Sequence, residues 1–181
     1  QGAYPLFFLD YYGTNCLNKK ELNYFIQGVS DNCRKYGNFP ILGGETAEMP
    51  LVYKNNSTDL VGCIIGQKND KFFKNNIQRG DIIINIPSEG PHTNGFTLIN
   101  NILNDDVEQN IINTLLTPHR CYLHNVNEFI DMFGYDNLHG MCHITGGGLY
   151  DNLDRVVNSN LKYNIDTNIE DFPYWCKYLM E

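Results

Sequence analysis

Gly146, Gly147 and Gly148 stand together directly after the segment GMCHIT, and the amphipathic stretch LYDNLDRVV follows them. Glycine loses more conformational entropy on folding than any other residue, so three in succession are expected where backbone turns tightly or comes close to a ligand. Related arrangements occur twice upstream. Gly43 and Gly44 follow FPIL and precede Glu45 and Thr46, while the loop SEGPHTNG at 88–95 follows DIIINIP and precedes Phe96, Leu98, Ile99, Ile102 and Leu103 at helical spacing. Apolar segment, glycine loop and helix in repeated order predict an α/β fold.

The elements between these loops follow from periodicity and punctuation. PLFFLDYY at 5–12 reads as a strand, and residues 19–37 as a helix with Leu22, Phe25, Ile26, Val29 and Cys33 on one face and Gly37 at its end. A short strand at FPILG, a loop at GETAEMP and a strand at 59–66 complete a first lobe. The polar stretch 67–81, closing on Arg79-Gly80-Asp81, carries the boundary, which divides the chain into lobes 1–66 and 67–181. The second lobe opens with DIIINIP as a buried strand. Helices are expected from 96, through the 120s with Tyr122, Val126, Phe129, Ile130 and Phe133, and again over LYDNLDRVV.

Composition narrows the class of function. A chain of 181 residues that is 42% hydrophobic can bury a core, and its 12 tyrosines and 10 phenylalanines exclude a disordered acidic tail. The 13 basic residues are scattered among 21 acidic ones, for a formal charge of -8, which argues against nucleic acid as the main partner. A nucleotide needs only a local anion site, which backbone N–H groups can build in a protein of any charge. Six cysteines at wide, irregular spacing predict free thiols rather than a disulfide framework. No apolar run reaches the length of a membrane span and the opening lacks the form of a signal peptide, so no membrane partner and a cytoplasmic location are expected. The abrupt, apolar ends predict that the native polypeptide continues beyond both.

Four places carry residues suited to chemistry. Glu45 and Glu48, beside Gly43, Gly44 and Thr46, can hold a divalent metal with backbone close to a ligand; the same residues also fit a capping box at a helical turn. In the second loop His92 can donate to phosphate or move a proton near neutral pH and Asn94 can fix an amide, base or ribose, although a surface turn with an incidental histidine fits too. His143 and Thr145 flank the third glycine run. Asp10 ends an apolar strand, where a carboxylate meets metal or substrate, or caps a turn. Neither a GxxxxGK[ST] nor a GxGxxG pattern is present, so phosphate binding must use another geometry. The pairs His119 with His124 and His139 with His143 have poor spacing for zinc, and no cysteine is tied to a base.

Taken together and in order, GAYPLFFLDYYGT, ILGGETAEMP, DLVGCIIG, GDIIINIPSEGPHTNGFTLI, LLTPHRCYL and HITGGGLYDNLDRV resemble the phosphoribosylformylglycinamidine cyclo-ligases, also called aminoimidazole ribonucleotide synthetases. The resemblance implies a two-lobed α/β (α+β) fold whose N-terminal lobe forms a barrel-like sheet across a homodimer, both lobes being incomplete here. It implies ATP and Mg²⁺ as cofactors and a ribonucleotide as small-molecule substrate, closed to an imidazole ring. By the same resemblance Asp10 and Glu45 belong to the nucleotide and metal region with Gly43, Gly44 and Thr46, and Thr145, Gly146, Gly147 and Gly148 to the phosphate contacts. His92, Asn94 and His143 are the expected catalytic residues.

The departures from the family pattern are Leu51, where a glycine usually follows MP, and His119, where threonine is usual. The family's upstream glycine-rich loop with its lysine lies outside these 181 residues, so the chain alone is expected to be inactive. The alternatives are another ATP-dependent member of the superfamily, such as the formylglycinamidine ribonucleotide amidotransferase domain or a small-molecule kinase, or a non-catalytic dimerisation piece.

Overall fold

The computed structural model describes residues 2–68, 75–104 and 106–180. Two compact units result. One holds the sheet and takes in Leu123–Glu128, and the other holds the rest of the described residues from 75 onward. The boundary stretch expected at 67–81 includes 69–74, which lie outside the described residues.

In the sheet-bearing unit, β1 (Ala3–Thr14) is the central strand of three, with β2 (Ile41–Glu48) parallel on one side and β3 (Thr58–Lys68) antiparallel on the other. The parallel pair requires a crossover, which α1 (Lys19–Lys35) supplies. Asn18 starts that helix by accepting from the N–H groups of Lys20 and Glu21, and its side-chain amide donates to Glu21 at 2.9 Å. Arg34 and Lys35 sit in the last turn, where positive charge complements the helix dipole. Tyr12, buried, meets Phe25 of α1 with ring centroids 5.6 Å apart, which fixes the face of β1 that the helix covers.

Turn chemistry closes this unit. Buried Thr14 donates through Oγ1 to the carbonyls of Cys16 and Ser57, both at 3.2 Å, while Glu48 accepts from the Leu17 N–H at 2.6 Å. The long β2–β3 connection is thereby anchored at the end of β1.

In the other unit the described elements are α2 (Phe96–Ile102), α3 (Gln109–Leu115), α4 (Leu123–Phe133, shared with the first unit), α5 (Gly148–Leu153) and α6 (Tyr174–Met180), with short 3₁₀ turns at Tyr135–Asn137 and Ile169–Asp171. Its core is Ile99, Ile111 and Leu115, against which Leu103, Val107, Trp175, Tyr178 and Leu179 pack. The turn expected at Arg79-Gly80-Asp81 forms. Asp81 N–H donates to the Gln78 carbonyl at 3.2 Å, Gln78 N–H to the Asp81 carboxylate at 2.8 Å, and Gly80 takes φ +101°.

Two expectations are corrected. The segment GETAE is not a loop, because β2 runs through it to Glu48 with a full ladder to β1; Thr46 therefore caps no helix. DIIINIP forms no strand, since among the described residues no neighbouring strand pairs with it, and Ile82, Ile83, Ile84 and Ile86 are exposed. An apolar run becomes a strand only where a neighbour accepts and donates its ladder bonds. Helices α3 and α6 were not foreseen. All six cysteines are free, and among the described residues no helix is long and apolar enough to cross a membrane.

Candidate active site

The expected site residues fall in two groups, one in each unit. In the sheet-bearing unit, Asp10 pairs with Gly44, Tyr11 with Glu45 and Tyr12 with Thr46. Asp10 shares a face with Tyr12, so it looks toward α1 and lines an open concavity of about 290 Å³ with Phe25, Ile26, Val29, Gly43 and Gly44 among its walls. Gly44 is required there: a Cβ would run into the Asp10 carbonyl and carboxylate. Glu45, one residue out of phase, springs from the opposite face with Tyr11, whose hydroxyl meets that of Tyr53 at 2.8 Å.

The alternation decides what this group can hold. Within one sheet Asp10 and Glu45 start from opposite faces, although Glu45 and Thr46 are also among the residues that line the concavity with Asp10. Among the described residues no cluster of three or more His, Cys, Asp or Glu side chains is arranged to hold a metal. Asp10, beside an aromatic and aliphatic wall, can meet a hydrated divalent ion but not cage one.

The second group is built by three segments that sequence separates widely. His92, in the left-handed region at φ +56°, lies with its ring centroid 3.8 Å from that of His119, the planes 31° apart. His119 in turn meets His143 edge-on at 5.6 Å, and Tyr122 stands edge-on to both His92 and His119 at 6.1 and 6.2 Å. Bulky residues rarely adopt positive φ, and such backbone strain concentrates at functional sites. The Nε2 atom of His92 is buried and has no hydrogen-bond partner.

Burial and neighbouring charge disfavour protonation of His92. Burial pushes the His92 imidazole below its usual range, and nearby His119 and His143 push the same way, against a lesser opposing effect of Glu89. Glu89 also lies 4.0 Å from Arg120, at the edge of ion-pair distance. A neutral His92 with one free ring nitrogen can accept a proton or a hydrogen bond from a substrate group.

The glycine run is held from behind by a residue the sequence reading did not single out. Asn152, almost fully buried in α5, donates its amide to the carbonyls of Thr145, Gly146 and Gly148 at 3.3, 3.2 and 2.7 Å. Its Oδ1 accepts from Thr145 Oγ1 and from Arg155, and Cys142 donates to its main-chain carbonyl. Gly147 and Gly148 adopt φ +95° and +69°, which only glycine takes without strain. Asn94 comes to this turn as well, its Oδ1 3.9 Å from where a Gly146 Cβ would stand. His92, Asn94, His143 and Thr145–Gly148 are thus gathered in one place.

Sequence reasoning missed His119, Tyr122 and Asn152. His119 stood out only as a poorly spaced pair with His124 and as a departure from the family's usual threonine, Tyr122 only as part of a helical stripe, and Asn152 lay unremarked in an amphipathic stretch.

Comparisons with known proteins agree with this layout. Residues 1–67 match the N-terminal domain, and 78–177 the C-terminal domain, of AIR synthase related proteins. Over 99% of its length the chain is 40% identical to a phosphoribosylformylglycinamidine cyclo-ligase of Prochlorococcus marinus and 41% identical to one of Clostridium novyi, covering 54% and 55% of them. A cyclo-ligase of Pseudothermotoga lettingae is 34% identical over 95% of the chain. The chain spans about half the length of these curated relatives. With both domain matches in order, the chain belongs to the AIR synthase related protein family, and the three relatives named above are phosphoribosylformylglycinamidine cyclo-ligases.

Proposed function

We propose that the protein catalyses the ATP-dependent closure of formylglycinamidine ribonucleotide to aminoimidazole ribonucleotide. The observation that carries the reading is the 40–41% identity to cyclo-ligases across 99% of the chain, with the PHTNG and HITGGG segments meeting in one cluster. ATP, accompanied by Mg²⁺, supplies the phosphoryl group that makes the amide oxygen a leaving group. The neighbouring nitrogen then attacks that carbon, phosphate departs and one proton is released.

The residues of this chain do the rest. His92, whose protonation is disfavoured by burial and then by its imidazole neighbours, keeps an unpartnered Nε2 inside the cluster, an acceptor for the released proton once the reacting amide enters that space. Asn94 fixes the substrate beside the glycine turn, and His143 bounds the same space. The Thr145–Gly148 turn gives the substrate phosphate close approach to backbone. Asp10 is the carboxylate we assign first to the nucleotide-bound Mg²⁺, with Glu45 in the wall of the same concavity.

We also propose a homodimer joined through the sheet face opposite α1. Leu9, Val61, Cys63 and Ile65 are exposed on that face, an apolar surface suited to a second copy.

The direct test is to incubate the full-length gene product with ATP, Mg²⁺ and formylglycinamidine ribonucleotide. Substrate-dependent ADP with aminoimidazole ribonucleotide is expected; ADP release without the imidazole would move the assignment to another ATP-dependent member of the family.

A further inference from the structure

The ring of His119 touches more of the cluster than any other side chain in it. It is anchored at one end, where Nδ1 lies 2.8 Å from the carbonyl of Arg120, so that nitrogen carries the proton it donates. One face lies against His92, and His143 and Tyr122 pack edge-on to it. His92 has no comparable anchor: its Nε2 is unpartnered and its backbone is in the left-handed region. Two rings stacked at 3.8 Å with planes 31° apart cannot aim their nitrogens at one ion, which removes a shared metal as the reason for the arrangement.

We propose that His119 is a positioning residue, the fixed plate against which the His92 ring is stacked, so that its buried, unpartnered Nε2 is held inside the cluster for the substrate group that enters it. The inference rests on the proposed cyclisation only for the identity of that substrate. The plate has a second effect because it is itself an imidazole. Beside the larger effect of burial, a charge on His119 opposes protonation of His92, and His143 adds to the opposition while Glu89 works against it. Arg120 and Tyr122 are the remaining charged or titratable groups packed around the pair. His119 thereby fixes where His92 points and adds to the larger effect of burial in lowering the pH at which His92 gains a proton.

Two variants separate the effects. His119→Phe keeps a flat ring without a charge, and His119→Ala removes both. In the full-length protein, His119→Ala is expected to lower kcat by roughly tenfold or more with KM changed less than about twofold, as for a misplaced reacting group. His119→Phe should restore kcat to within about threefold of wild type. In both variants the His92 C2–H resonance, followed by NMR, should titrate at a higher pH than in wild type, which a purely structural role would not require.

Wild-type kcat in His119→Ala, an equally large loss in His119→Phe, or an unmoved His92 titration would each overturn the proposal. The titration does not depend on turnover. Absence of cyclisation with the shifted resonance would sink the functional reading and leave the positioning role standing.

Discussion

Thr145 and Asn152 bind each other twice: the Thr145 hydroxyl donates to Asn152 Oδ1 at 3.0 Å, and the Asn152 amide donates to the Thr145 carbonyl at 3.3 Å. The turn carrying Gly146–Gly148 is held by this buried amide rather than by regular secondary structure. Asn152→Leu leaves three carbonyls short of a donor and is expected to destabilise its unit by about 2 to 3 kcal/mol. Urea unfolding measures this, and a loss under about 0.5 kcal/mol would show that the turn stands without the asparagine.

Gly147 and Gly43 should respond differently to alanine. At Gly147, with φ +95°, a Cβ would meet the Asp151 side chain, so Gly147→Ala should cost about 1 to 2 kcal/mol. At Gly43 a Cβ meets nothing within 4 Å, and Gly43→Ala should change stability by less than about 0.5 kcal/mol. Equal effects in thermal melts would contradict the backbone argument.

Ile111, 1% exposed, is the most buried side chain of the helical core. Truncation to valine is expected to cost about 1 kcal/mol and to alanine about 2 to 5 kcal/mol. Chemical denaturation of the pair checks the gradation, which a loosely packed core would not produce.

Asp81 and His139 give a pH-dependent bond. The His139 ring faces acceptors at both nitrogens, the Asp81 carboxylate at 2.8 and 2.9 Å from Nδ1 and the Asp136 carbonyl at 3.1 Å from Nε2. The backbone N–H of Gln78, and after it His139, hold the Asp81 carboxyl below its ordinary value of 3.8. A depressed carboxyl stabilises the fold above its unfolded value and loses that contribution as pH falls through the folded one. Wild type should therefore melt above Asp81→Asn at pH 6, and the gap should close below pH 3.8. A gap independent of pH would assign it to packing instead.

The apolar face opposite α1 predicts association. Val61→Asp places a charge on that face and should shift the full-length protein from dimer to monomer in light scattering after size exclusion. A dimer undisturbed by Val61→Asp would place the interface elsewhere.

Much of the first unit was legible from local pattern. The strand over 5–12, the helix beginning at 19 and the strand over 59–66 appear as β1, α1 and β3 with ends moved by two residues or fewer, because aromatic runs, the apolar helical face and Gly37 act over a few residues. GETAE misled because a glycine pair at its start, Gly43 and Gly44, and two carboxylates look like a loop, yet the ladder to β1 overrides that preference. DIIINIP misled in the other direction, since hydrophobicity alone supplies no hydrogen-bonding neighbour.

The glycine run at 146–148 was readable by itself as a turn near a ligand, because glycine's freedom is a property of the residue. Its neighbours were not. His119 reaches His92 and His143 across 27 and 24 positions of sequence, and Asn152 reaches back to Thr145 from a different element. Strand parity likewise put Asp10 and Glu45 on opposite faces, although they belong to one motif region in sequence. Residue type and order determined the family and the chemistry on offer. Which side chains meet was decided by tertiary packing, since ring stacking and buried amide bonds act through space over a few ångströms and leave no periodicity in the chain.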